Sequence, residues 1–246
     1  MTMLIRVSPL LRLAVIGLAS CSTAPQNNAS AGASDLDVAS GAFPAAQRPV
    51  SAIISDRWAS EAERDSLDEA NKVMDIAGVN AGMSVADIGA GEGYYTIRLS
   101  VRVGKEGRVL AQDIFPKVRD RLAERVLRES LDNVSVKLGT AGDPKLPDNS
   151  FDRVFMIHMY HEIEQPYEFL WRLRPSLLPG GQVIVVDADR PTGAHGIPPV
   201  LLECEMKAVG FKKVDQHQLP NEGIFLMRFT LSGERPEPGA IRACKG

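Results

Sequence analysis

The chain has no excess of positive charge. Its 28 lysines and arginines are outnumbered by 31 aspartates and glutamates, for a formal net charge of −3. It therefore lacks the electrostatic footprint that binding to phosphate backbones requires, and nucleic acid is not an expected partner. No internal repeat is present, so no array of stacked units is expected. Histidine occurs only four times. No further ligand cluster accompanies His158, His161 and Glu162, so no metal site is expected. Residues 22–50 carry hardly any large apolar side chains and are rich in Ala, Ser, Asn, Gly and Pro. Such a segment cannot bury enough surface to offset its ordering entropy, and residues 21–50 are expected to be a flexible tether. The whole chain of 246 residues, 44% apolar and 24% charged, has an ordinary globular composition. That is enough for one well-buried domain, placed at residues 51–246.

Near the N-terminus, Arg6 and Arg12 precede Leu13-Ala14-Val15-Ile16-Gly17-Leu18-Ala19-Ser20. This apolar stretch is too short to span a bilayer permanently but suits an export signal over residues 1–20. It runs into Cys21, and Leu18-Ala19-Ser20-Cys21 resembles the lipobox of bacterial lipoproteins. The resemblance implies a lipidated Cys21 as mature N-terminus and membrane anchor. Ser22 lacks the aspartate of an inner-membrane retention signal, so the periplasmic side of the outer membrane is the expected destination. An unused signal would leave the chain in the cytoplasm. Export would place Cys204 and Cys244 where disulfides persist, although nothing in their spacing requires pairing.

The chemistry is concentrated in Val85-Ala86-Asp87-Ile88-Gly89-Ala90-Gly91-Glu92-Gly93-Tyr94, followed about twenty residues later by Asp113. An apolar strand ends in a glycine turn whose backbone can approach a ligand, a helix begins, and a second strand delivers a carboxylate where a ribose would lie. A diphosphate would select glycine amides at a helix N-terminus with no anion nearby, whereas this turn holds Asp87 and Glu92. The expected ligand is locally cationic. S-adenosylmethionine fits, with its sulfonium and ammonium over the turn and its ribose hydroxyls on Asp113.

Further landmarks follow in order. Asp143-Pro144-Lys145-Leu146-Pro147 precedes Ser150-Phe151-Asp152-Arg153-Val154, and Leu178-Pro179-Gly180-Gly181 precedes Gln182-Val183-Ile184-Val185-Val186-Asp187. From about Arg57 to Thr230 the sequence resembles the class I S-adenosylmethionine-dependent methyltransferases. The resemblance implies an α/β fold, a Rossmann-like, seven-stranded, mostly parallel sheet with an antiparallel last strand and helices on both faces. It also implies methyl transfer to a small-molecule acceptor.

Local patterns agree with that architecture. Helices are expected over Glu61 to Gly78, Tyr94 to Val103, Pro116 to about Ser130, Pro166 to Leu177 with a bend or early stop at Pro175, and Pro199 to Val209. Strands are expected at Ser84–Ile88, Arg108–Ala111, Val134–Leu138, Val154–Ile157 and Gln182–Val186, with a closing antiparallel pair at Phe211–His217 and Gly223–Leu231. Residues after Leu231 are expected to form a loose tail.

The cofactor-binding candidates are Asp87, Gly89, Gly91, Gly93, Tyr94, Asp113 and Ile114, the last covering an adenine face. The family resemblance puts the adenine amino group near Thr140 to Asp143, with Asp143 the candidate there, and His158 at the methionine end. The loop after the fourth strand supplies the catalytic candidates. His161 is the expected base if the acceptor must lose a proton, with Tyr160 and Glu162 orienting it or the acceptor. Methyl transfer by alignment alone needs no base. Arg57, Trp58 and Arg64 can roof an anionic acceptor, and His195 lies in the loop after the fifth strand. The alternatives are an exported binding lipoprotein that keeps the cofactor fold without turnover, and a NAD-dependent oxidoreductase. Glu92 and the antiparallel ending disfavour the latter.

Overall fold

The computed structural model describes residues 42–53, 60–220 and 223–246. The expected signal, Cys21, the tether up to residue 41, and Arg57 and Trp58 lie outside the described residues. Seven strands form one sheet: β1 (Ser84–Ile88), β2 (Arg108–Asp113), β3 (Val134–Leu138), β4 (Phe151–Ile157), β5 (Leu177–Ala188), β6 (Phe211–Gln218) and β7 (Ile224–Leu231). Their order is β3-β2-β1-β4-β5-β7-β6. Neighbours from β3 to β5 are parallel, and β7 alone runs antiparallel, to both β5 and β6. This is the expected Rossmann-like sheet. The order reverses at β1, so the cleft between β1 and β4 is where a ligand is placed in such sheets.

Crossover helices α3 (Tyr94–Val103), α4 (Pro116–Arg128), α5 (Pro166–Leu173) and α6 (Pro199–Ala208) connect the parallel strands. Successive side chains of β4 enter opposite core layers. Val154 and Met156 pack with Phe169 and Leu170 of α5 and with Leu202 and Met206 of α6. Phe155 between them packs with Val73, Met74, Leu99 and Val103. A strand covered on both faces has no polar side to alternate with, which is why this segment reads as one apolar run.

The helix expected over Glu61 to Gly78 is two helices, α1 (Glu61–Ser66) and α2 (Glu69–Ile76). Between them Asp68 takes a left-handed backbone, φ 53°, a conformation that aspartate tolerates better than most residues. Apolar spacing carries no sign of such a break. Downstream, α5 stops at Leu173 and a 3-10 turn spans Arg174–Ser176, because the Pro175 ring cannot sit inside an α-helix.

Two further expectations are corrected at the chain's margins. Residues 43–50, expected within the tether, are packed on the domain: Phe43 is buried edge-on to Trp171 with ring centroids 5.4 Å apart. The Arg48 side chain has no exposure and pairs at 2.9 Å with the equally buried Glu205 of α6. One aromatic and one arginine in a small, polar stretch are too little for composition to register. The segment after Leu231 is likewise not loose. Trp171 Nε1 donates to the Pro236 carbonyl at 2.8 Å, Ile241 is buried, and Cys244 is disulfide-bonded to Cys204 of α6. The Gly246 N–H donates to the Gln47 carbonyl at 3.1 Å, so the 43–50 segment and the tail brace one another beside α6.

Candidate active site

A cavity of about 740 Å³ lies over the carboxyl ends of β1, β2 and β4, a volume in the range of clefts that enclose a small molecule, ~300–1,000 Å³. Its floor is the turn after β1. Gly89, Gly91 and Gly93 have φ of 67°, 56° and 89°, a region open to glycine at no steric cost. At Gly93 a Cβ would also lie 2.4 Å from Leu122 Cδ1, so glycine is what lets α4 close against the turn. Asp87, the penultimate residue of β1, is almost fully buried and accepts a hydrogen bond from Thr96 Oγ1 at 2.6 Å. Burial pushes its carboxyl up to about 6, only partly offset by that bond.

Asp113, at the end of β2, faces the same cavity. Its Oδ2 accepts from the Gly91 N–H at 3.1 Å and its Oδ1 from the Phe115 N–H at 2.9 Å. Each oxygen keeps a second lone pair, the geometry needed to take two neighbouring hydroxyls. Beside it Gln112 lines the cavity with a buried amide nitrogen that has no partner. Ile114, Phe115, Thr140 and Ala141 complete this side. The donor set fits the adenosine part of S-adenosylmethionine: a carboxylate for the ribose and an apolar wall for the ring.

Asp143 is not part of the wall. Its carboxylate accepts from the Lys145 N–H at 2.7 Å and closes a turn, so within the stretch Thr140 to Asp143 it is Thr140 and Ala141, not Asp143, that face the cavity. Tyr94 reaches the cavity, but its ring is already flanked by the Arg64 and Arg98 guanidiniums at 3.8 and 3.7 Å. Its hydroxyl donates to Asp65 at 2.9 Å. Burial and that carboxylate hold the phenol at about 12. The ring of Tyr94, a cofactor-binding candidate, is thus already engaged by arginine.

On the β4 side, His158 lines the cavity with a left-handed backbone, φ 54°, and its Nε2 lies 3.3 Å from Glu69 Oε2. Glu69 also accepts from the Tyr95 hydroxyl at 2.9 Å and from Arg64 at 3.2 Å. Burial works against its ionisation, but His158, Arg64 and Tyr95 outweigh it and bring the carboxyl down to about 2. Glu69 escaped the sequence reading because it falls inside what reads as a continuous helix. The break at Asp68 precedes it at the start of α2.

The catalytic candidates separate. Glu162 lines the cavity, together with Met159, Ile163 and Glu164, whereas Tyr160 and His161 do not. Tyr160 is fully buried and its hydroxyl donates to Glu205 at 2.8 Å, so it supports the loop from behind and cannot touch an acceptor. His161 is also buried, its Nδ1 2.9 Å from both carboxylate oxygens of Asp187, and its Nε2 is 4.0 Å from Glu162 Oε1. Direct proton abstraction by His161 is therefore corrected, since Glu162 stands between it and the cavity. Asp187 was legible only as the last polar residue of a strand. Arg64, expected to roof an anionic acceptor, faces the cavity, while His217 pairs with Asp215 on β6, outside it.

The loop is held by the 43–53 segment. Arg48 donates to the carbonyls of His161, Tyr160 and Ile163 at 3.3, 3.5 and 3.3 Å. The Ser51 N–H donates to the His161 carbonyl at 3.3 Å, and the Ser51 hydroxyl to the Thr192 carbonyl. The position of Glu162 thus depends on a part of the chain that composition alone assigns to a linker.

A methyltransferase-domain family model matches residues 86–185. Over 125 residues, 49% of each chain, the protein is 31% identical to ubiquinone/menaquinone biosynthesis C-methyltransferase UbiE of Idiomarina loihiensis. Over 121 residues, again 49% of each, it is 31% identical to demethylmenaquinone methyltransferase of Staphylococcus aureus. The chain spans about half the length of the curated relatives it matches. Among solved structures it is similar to a SAM dependent methyltransferase from Aquifex aeolicus, with a TM-score of 0.61 and 25% identity. That likeness covers 70% of this chain and 98% of the other.

Proposed function

We propose that this chain is an S-adenosylmethionine-dependent methyltransferase acting on a small-molecule acceptor. The observation that carries the reading is the Asp113 carboxylate over the glycine turn, beside an acidic rather than a phosphate-binding loop. The matched domain and the methyltransferase relatives support the same chemistry. Bound there, the cofactor supplies a methyl group on a sulfonium, already attached to a good leaving group. The protein's part is alignment, which is worth several kcal/mol when donor and acceptor are held in line. Asp113 and Gln112 fix the adenosine end over β2. The acceptor is placed over β4, against Ile53, Met159, Ile163 and Phe169, which offer an apolar wall with Glu162 and Arg64 as its polar groups. Glu162 is the group placed to orient an acceptor or take a proton from it.

The reading includes a location in the cell envelope, with Cys21 lipidated. The Cys204–Cys244 disulfide supports it, because such bonds persist in oxidising compartments. One experiment tests both parts. Cells expressing the full chain are fractionated, and washed membranes and soluble extract are each supplied with methyl-labelled S-adenosylmethionine and a small-molecule extract. Label is expected to reach a small molecule in the membrane fraction, and Cys21→Ala should move that activity out of it. Transfer in neither fraction contradicts the activity. Wild-type activity confined to the soluble fraction contradicts the anchor.

A further inference from the structure

We propose that His161, Glu162 and His195 form a binding site for a first-row divalent cation, with zinc the best match to the donors. Among the described residues these three come together with one ligand atom each, all within 4.8 Å of one another. The sequence gives no such signal, because His195 lies 34 residues from His161 and follows a different strand. The chain brings them together by placing the loops after β4 and β5 side by side. Ser51 joins the two loops, taking the His195 N–H on its hydroxyl at 3.0 Å while its own N–H reaches the His161 carbonyl.

The state of His161 points to a ligand. The side chain is 1% exposed, its Nδ1 donates to the Asp187 carboxylate at 2.9 Å, and its Nε2 is buried with no hydrogen-bond partner. A buried ring nitrogen left without a partner has given up its bond to water with nothing in return. A carboxylate on one nitrogen fixes the tautomer and aims the lone pair of the other outward, which is the arrangement metal-bound histidines use. That nitrogen lies 4.0 Å from Glu162 Oε1, and the imidazole of His195 stands nearly perpendicular to that of His161, ring centroids 5.7 Å apart.

Two imidazoles and one carboxylate, with a fourth position open, make the donor set of an open zinc site. Zinc–ligand bonds of about 2.0–2.2 Å put tetrahedral ligand atoms roughly 3.4 Å apart. The three atoms must therefore close by about an ångström. His161 is fixed by Asp187, so Glu162 and the half-buried His195 make the adjustment by side-chain rotation. Glu162 also lines the large cavity, so an ion held here borders the space proposed for the acceptor and would take over the role given above to the free Glu162 carboxylate. Only that last point rests on the proposed function.

The test uses the full chain, stripped with a chelator, without S-adenosylmethionine. Zinc titration by calorimetry is expected to show one ion per chain, and cobalt should give the visible bands of a tetrahedral site. His195→Ala and Glu162→Gln, both at partly exposed positions, should each lower zinc affinity at least 10-fold with the circular dichroism spectrum unchanged. His217→Ala should leave it unaltered. Absence of stoichiometric binding, or wild-type affinity in both variants, overturns the site. A chain that binds S-adenosylmethionine but no zinc overturns this inference and leaves the proposed function standing.

Discussion

Arg48→Ala is expected to destabilise the protein by about 3–5 kcal/mol, the cost of leaving a buried charge without its partner. Arg48 and Glu205 have no side-chain exposure. The substitution would strand the Glu205 carboxylate with only the Tyr160 hydroxyl donating to it. It would also release three carbonyls of the 160–163 loop. Domains are commonly stable by only about 5–15 kcal/mol, so the effect should be plain in a urea titration. Replacing both charges, Arg48→Met with Glu205→Gln, should recover most of the loss, because what costs energy is the unpaired charge rather than the missing bridge. A chain starting at Ser51 lacks the same arginine and should fare no better than Arg48→Ala. If Arg48→Ala costs under about 1 kcal/mol, the 43–53 segment is not the brace described above.

The second large effect is on ligand affinity. Asp113→Ala removes the acceptor proposed for two ribose hydroxyls, and hydrogen bonds to a charged group are worth about 1.5–3 kcal/mol. S-adenosylmethionine should therefore bind about 10- to 100-fold more weakly. The carboxylate also holds the Gly91 and Phe115 N–H groups. Asp113→Asn, which keeps one oxygen and the shape, should fall between wild type and alanine. Equal affinity in wild type and Asp113→Ala would remove the ribose assignment.

The sheet and the glycine-turn side of the cavity were legible because their signals are local. Val85 to Tyr94 is a strand, turn and helix written in ten consecutive residues, and Asp113 closes the next strand. The antiparallel β7 was legible from the short turn that must join it to β6. The β4 side of the cavity was not, because its determinants are pairings between distant residues. Arg48 meets Glu205 across 157 positions, and His161 meets Asp187 across 26. The sequence His158-Met159-Tyr160-His161-Glu162 reads the same whichever side chains face the cavity. The 3-10 turn over Tyr160–Glu162 decides it, burying Tyr160 and His161 and leaving Glu162 in the cavity wall. The Cys204–Cys244 bond is of the same kind, since only the docking of the tail beside α6 brings the two together.

The most direct measurement is a calorimetric titration of the full chain with S-adenosylmethionine and with NAD at pH 5 and pH 7.5, each in two buffers of different ionisation enthalpy. Asp87 has its carboxyl raised to about 6 by burial, so the folded domain without ligand favours the protonated form below that pH. On its own this makes Asp87's contribution to stability greatest below the unfolded value of about 3.8 and lost as pH rises through about 6. A cationic ligand over the glycine turn favours the ionised carboxylate. S-adenosylmethionine should therefore bind more tightly at pH 7.5 than at pH 5, with protons released on binding at the lower pH, and NAD should not bind. Tight NAD binding, or no detectable S-adenosylmethionine binding at either pH, would contradict the account.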